Sequence, residues 1–229
     1  MIQLFKNINL LLFPPLCMGC EYPLSDNEEL LCTQCRHQLP LTNIHIDNTN
    51  TVEKIFYGRV RIEKATAMFW FEKQGIVQHL IHQLKYKGQE EIGELLGKWL
   101  GTELLELENY NTIDAVIPVP MHPKKRRKRG YNQVETFGLA LAGCLNATYL
   151  DAVLIKTQHT KTQTYKSRLS RWNSMQHVFT LQQAETIAGK HILLVDDVIT
   201  TGATLEVCAR ELLKVKNVRI SIATMAIVA

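Results

Sequence analysis

The chain has 229 residues, 46% of them hydrophobic, and a formal net charge of +4. That is an ordinary globular composition, enough for one large domain or one medium domain with a small appendage, and it argues against a fibrous or disordered chain. The charge is unevenly spread: residues 118–132 carry six Lys or Arg and no acid, residues 156–176 carry five and no acid, and the remainder therefore sums to −7. Two basic patches of this kind suit a polyanionic ligand.

Leu4, Ile8, Leu11 and Leu12 have helical spacing, which predicts a short helix ending before Pro14. The apolar run is too short to span a bilayer and no small-residue cleavage site follows, so the expectation is a cytoplasmic protein without a membrane span. Cys17-x2-Cys20 and Cys32-x2-Cys35 are separated by eleven residues. Tandem CxxC pairs at that spacing predict a four-thiolate Zn2+ site, with no open position and hence a structural role. Disulfides suit an oxidising compartment and a redox CxxC normally sits beside a βαβ unit, so both alternatives fit less well. Cys144 and Cys208 read as small core residues, and His37 as solvated.

Residues 43–64 follow, of which 43–54 are polar enough to read as a connector. Residues 65–72 alternate and carry aromatics, predicting a strand. Two helices are predicted next, over 75–86 and 90–107. Between them, Lys85 and Lys87 suit a helix C-terminus, with phosphate binding as the sharper alternative. His79 and His82 read as surface histidines.

Residues 114–119 predict a first buried strand of a parallel sheet. Pro118, Pro120 and Pro123 are expected to forbid a helix and stiffen the next turn. Six cations follow, Lys124, Lys125, Arg126, Arg127, Lys128 and Arg129, then Gly130 and Tyr131. Val134, Phe137, Leu141 and Leu145 mark a helix, and residues 147–155 a second strand. Residues 156–179 are basic, rich in Thr and Ser, and aperiodic.

Residues 192–195 predict a third buried strand. Asp196 and Asp197 come next, then a small-residue turn, Thr200, Thr201, Gly202, Ala203 and Thr204, and a helix to about Lys214. A last strand is expected over 218–226. Strand, acidic pair, glycine turn and helix start form an anion-binding layout: helix N-terminal amides point at a phosphate, and carboxylates accept hydrogen bonds from vicinal hydroxyls.

LLVDDVITTGAT resembles the phosphoribosyl pyrophosphate (PRPP) motif of the type I phosphoribosyltransferases. That resemblance implies an α/β fold with a parallel sheet flanked by helices. It implies that Asp196 and Asp197 hold the ribose hydroxyls and that Thr200 to Thr204 hold the 5′-phosphate. Pro120 and Arg129 would lie at the pyrophosphate loop. Lys161, Gln163, Arg168, Arg171 and Asn173 would fall in the family's mobile loop. Taken with the tandem CxxC, LKYKG, DAVIPVPMHPKKRRKRGYNQ and KTQT…RLSRWN, the chain is similar to the ComF/GntX competence-protein family almost throughout. The organisation this implies is a zinc finger over 1–42 and a phosphoribosyltransferase-like domain over 43–229, its PRPP-binding core at 111–229.

Two functions follow from the resemblance. One is a phosphoribosyltransferase that takes PRPP with Mg2+, has catalytic residues Asp196, Asp197 and Arg129, and is linked to DNA uptake. The acceptor is not legible. The other is a non-catalytic handler of single-stranded DNA. It would use the zinc finger, Lys124 to Lys128 and the rings of Tyr131 and Trp172, and keep the phosphoribosyl pocket for sensing.

Overall fold

The computed structural model describes residues 13–46, 51–157 and 178–228. The expected N-terminal helix, the five mobile-loop candidates Lys161, Gln163, Arg168, Arg171 and Asn173, and Trp172 lie outside the described residues.

A five-stranded sheet organises the chain. Its strands are β1 (Ala65–Phe71), β2 (Ala115–Pro118), β3 (Thr148–Tyr149), β6 (His191–Ile199) and β7 (Arg219–Val228), in the order β1-β7-β6-β2-β3. Every pairing in it is parallel, and β6 is central, in register with β7 from His191↔Arg219 and with β2 from Ala115↔Ile192. Parallel strands are apolar on both faces because both are covered. In β6, Leu193 and Val195 enter one apolar cluster while Ile192 and Leu194 enter the other.

The first face carries α3 (Ile76–Tyr86), α4 (Glu91–Leu105) and α6 (Glu135–Cys144). The second carries α2 (Thr51–Phe56) and α7 (Ala203–Leu212). The cysteine segment, with α1 (Thr33–Gln38), does not stand apart: Cys17, Leu31, Cys35 and Leu39 are buried in the same cluster as Leu80 and Leu84 of α3. His79 also ties the two together, 3.6 Å from Glu21 and hydrogen-bonded to Gln83, which donates to the Met18 carbonyl at 3.2 Å.

Four expectations change. The basic run is not an extended turn but a helix, α5 (Pro123–Arg129), because Pro123 stands at its first position, where no amide is needed. His122 caps it by accepting from the Lys124 amide at 3.1 Å. The strand expected over 147–155 is broken into β3 and β4 (Leu154–Lys156), which leaves the main sheet to pair antiparallel with β5 (Phe179–Leu181). The stretch read as a connector holds α2, whose Val52 and Phe56 are fully buried. The sheet also starts earlier than expected, since β1 pairs with β7 as an edge strand.

Gly93, Gly97 and Gly101 recur along α4 on the face against α6. A Cβ on Gly97 would lie 2.5 Å from the Phe137 carbonyl oxygen, and one on Gly101 would lie 2.7 Å from the Cys144 Cβ. Backbone cannot yield as a flexible side-chain end can. Gly97→Ala should therefore destabilise by about 1–3 kcal/mol through overpacking, despite alanine's better helix propensity. A lower urea midpoint with an unchanged slope would bear this out.

Candidate functional site

Asp196 and Asp197 lie inside β6, which runs four residues further than expected, to Ile199. Because side chains alternate along a strand, the two carboxylates leave opposite faces of the sheet at its carboxyl edge. Asp197 emerges on the α3 side. Its Oδ2 accepts from Lys85 Nζ at 2.8 Å and from Gln133 Nε2 at 2.7 Å. Asp196 emerges on the α7 side, and its Oδ1 accepts from the Asp197 amide at 2.9 Å. Burial, then the neighbouring Asp197 charge, pushes the Asp196 carboxyl up to about 8.

Beyond β6 the chain turns at Gly202, whose φ of +71° favours glycine. Space gives a second reason: a Cβ there would lie 2.7 Å from Ile55 Cγ2, so α2 is packed directly under the turn. Arg59 braces the same loop, donating to the Thr201 carbonyl at 2.9 Å and pairing with Glu206 of α7. Gly202 stands at the N-cap of α7 without a side-chain cap bond, which leaves first-turn amides for an incoming group. Asp196, Thr200, Thr201, Gly202, Ala203 and Thr204 line one concavity.

On α5, Lys124 to Lys128 are exposed and Arg129 is turned inward. Arg129 donates to Gln133 Oε1, which continues the chain of contacts to Asp197, and its guanidinium lies 5.3 Å from the centre of the Tyr86 ring. Tyr131 is half-buried and donates its hydroxyl to the Leu84 carbonyl, so it serves the α3 terminus rather than facing solvent freely. Pro120 lines a separate cavity of about 730 Å3, with Arg126, Arg127, Tyr149 and Lys156. Burial pulls the Lys156 ammonium downward.

The four cysteine sulfurs Cys17, Cys20, Cys32 and Cys35 lie within 4.8 Å of one another. Cys20 and Cys32 are 3.8 Å apart, too far for a disulfide. That separation is close to the edge of a tetrahedron built on metal–sulfur bonds of about 2.3 Å. Amides of Gly19 and Cys32 donate to the Cys17 sulfur at 3.3 and 3.2 Å, and that of Cys35 to the Cys32 sulfur at 3.4 Å. Such bonds favour thiolates. The donor set fits a structural metal ion.

Comparison with known proteins agrees with this organisation. Residues 136–228 match the family described as Phosphoribosyl transferase domain. The chain is 27% identical over 222 residues to the DNA utilization protein YhgH of Shigella flexneri, covering 90% of this chain and 93% of that protein. It is 27% identical over 203 residues to Competence protein F of Haemophilus influenzae, covering 87% and 84%. These relatives, together with the phosphoribosyl transferase domain match, are consistent with the ComF family resemblance of the sequence. Among solved structures, it is similar to the glutamine PRPP amidotransferase of B. subtilis complexed with ADP and GMP, at 18% identity and a TM-score of 0.41, over 62% of this chain and 30% of that one.

The fold is a phosphoribosyltransferase-like parallel sheet with flanking helices and an N-terminal four-cysteine cluster. The structure brings Asp196, Asp197 and Thr200 to Thr204 to one edge, with Arg129 linked to Asp197 through Gln133. It does not bring Lys124 to Lys128 or Pro120 into that contact. Sequence reasoning missed Gln133, and it read Lys85 chiefly as a helix-terminal cation. The LKYKG stretch was a signal for Lys85, but no periodicity shows which lysine turns toward the sheet.

The pH dependence follows from Asp196. Its native pKa is raised above the unfolded value of about 3.9. The native state therefore binds the extra proton between about pH 4 and 8, and the stability it contributes is lost as pH rises through that window. Urea midpoints should fall from pH 5 to pH 8, and Asp196→Asn should flatten that slope.

Proposed function

We propose that the chain binds PRPP or a related phosphoribosyl ligand as its Mg2+ complex, and that it works in the handling of DNA in uptake. The observation that carries the first part is Asp196 in one concavity with a glycine turn and an uncapped helix N-terminus, with Asp197 beside it in β6 at the same sheet edge. The second part rests on the relatives, a DNA utilization protein and Competence protein F.

In this reading Asp196 and Asp197 accept hydrogen bonds from the two ribose hydroxyls. Lys85 and Gln133 share one oxygen of Asp197 and leave the other for the sugar. The first-turn amides of α7 and the hydroxyls of Thr200, Thr201 and Thr204 hold the 5′-phosphate, helped by the helix dipole. Mg2+ suits a hard, phosphate-rich ligand and would be held chiefly by the ligand's own phosphates, neutralising the pyrophosphate. As an enzyme, the protein would direct an acceptor to C1 while the C1–O bond to pyrophosphate breaks. Arg129 is the cation best placed to stabilise the charge developing on that group. Zn2+ is assigned to Cys17, Cys20, Cys32 and Cys35, where it would supply folding free energy.

Calorimetric titration of PRPP with Mg2+ tests the site. Saturable binding is expected for the wild type, and Asp196→Asn/Asp197→Asn should weaken it by at least about tenfold. Binding that survives the double substitution would move the ligand elsewhere.

A second reading, direct contact with single-stranded DNA, is favoured by the exposed cations Lys124 to Lys128 along α5. Neutralising several phosphates predicts a steep loss of affinity with salt, with a slope of roughly −0.7 per phosphate contact. Replacing Lys124, Lys125 and Arg127 together by Gln should flatten that slope while PRPP binding is retained.

A further inference from the structure

We infer that Arg59 is a positioning residue for the phosphate turn: without touching the ligand, it fixes the Thr201–Gly202 peptide so that the Gly202 amide faces the 5′-phosphate. The inference rests on the phosphoribosyl reading above and deepens it. The chain leaves α2 through Gly58, at a φ of +70°, and the Arg59 amide donates to the Phe56 carbonyl at 3.0 Å. That turn brings the Arg59 side chain beneath the loop between β6 and α7. Arg59 is not among the residues that line the Thr200–Thr204 concavity. It lines a separate groove, with Val60, Arg61 and Val207.

The glycine itself creates the need for a brace. Glycine takes positive and negative φ about equally well, so Gly202 does not by itself choose which way the peptide before it faces. A bond to the Thr201 carbonyl does choose. Arg59 Nη1 donates there at 2.9 Å and to the Ile55 carbonyl at 3.0 Å, which anchors the guanidinium on α2. In a trans peptide the carbonyl and the following N–H point in opposite directions. With the Thr201 oxygen held toward Arg59, the Gly202 N–H is turned away from it, to the side of the concavity. The flipped peptide would present a carbonyl oxygen to an incoming anion and repel it.

The same guanidinium removes a second obstacle. Glu206 lies in the first turn of α7 and is buried, so its charge would oppose a phosphate at that helix start. Arg59 Nε donates to Glu206 Oε2 at 2.8 Å, and Arg210 Nε donates to Oε1 at 3.1 Å, so both carboxylate oxygens meet a cation. Arg210 closes the ring by donating to the Arg59 carbonyl. A planar fork of donors can serve one carboxylate and two carbonyls together, which a single ammonium cannot.

The test uses the full chain. PRPP with Mg2+, and separately ribose 5-phosphate as a ligand that cannot react, are titrated by calorimetry into the wild type, Glu206→Gln, Arg59→Lys and Arg59→Met/Glu206→Gln. Glu206→Gln keeps the Thr201 bond and should bind at least as well as the wild type. The double variant leaves no unpaired buried charge, so its melting temperature should stay near the wild-type value. Its affinity for both ligands should nevertheless fall by about tenfold to a hundredfold, the range for one hydrogen bond to a charged group. Arg59→Lys keeps a cation for Glu206 and should lose affinity as well. In spectra of isotope-labelled glycine amides, the Gly202 signal should move when ribose 5-phosphate is added to the wild type and stay in place in the double variant. A merely structural role predicts instead that affinity follows melting temperature. If the double variant binds as the wild type does, or if Arg59→Lys does so where the double variant fails to fold, the inference is overturned while the phosphoribosyl reading stands. If neither ligand binds the wild type, both fall together.

Discussion

The ion pair between Lys85 and Asp197 joins parts of the chain that are otherwise distant in sequence. Lys85 sits at the end of a helix whose buried face packs with the cysteine segment, and Asp197 sits in the central strand. A carboxylate at a sheet edge carries charge that needs a partner, and an ammonium brought out of water needs one equally. Meeting at 2.8 Å, with Gln133 on the same oxygen, they fix the direction of Asp197. Asp196 makes no such ion pair, and burial with the neighbouring Asp197 charge raises its pKa against the opposing pull of Lys85 and Lys156.

This pair also ties the N-terminal segment to the site. Gly19 lies so close to Cys35 that a Cβ would stand 2.9 Å from its sulfur, and 3.3 Å from Ile76 at the start of α3. The cysteine cluster thus packs against one end of the helix whose other end delivers Lys85. A structural metal there would support the site's geometry through a single rigid element, about 16 Å long for eleven residues.

Much of this was legible in the sequence, for reasons that differ by element. The apolar run of β6, the acids after it and the glycine turn are local features, and a strand, a turn and a helix follow from them directly. The four cysteines were legible because thiolate spacing is itself a geometric statement. Pro123 misled because its effect depends on position: inside a helix it breaks the ladder, while at the first position it costs no hydrogen bond. The strand expected over 147–155 looked continuous in its residues, yet the chain leaves the sheet after Tyr149 to pair with Phe179–Leu181. Helix α2 was hidden in a polar stretch whose buried members, Val52 and Phe56, are few. Lys85, Gln133 and Arg129 find Asp197 only through tertiary packing, and no local pattern carries that information.

The two carboxylates emerge on opposite faces of the sheet because they are adjacent. An acid pair separated by one residue would place both groups on the same side, where they would compete for one lysine and repel each other. Adjacency lets one acid be neutralised from the helix layer on one side while the other stays beside the glycine turn on the opposite side. A single-residue insertion or deletion within β6 would exchange those neighbourhoods without altering the count of acids. The arrangement is therefore intolerant of frame.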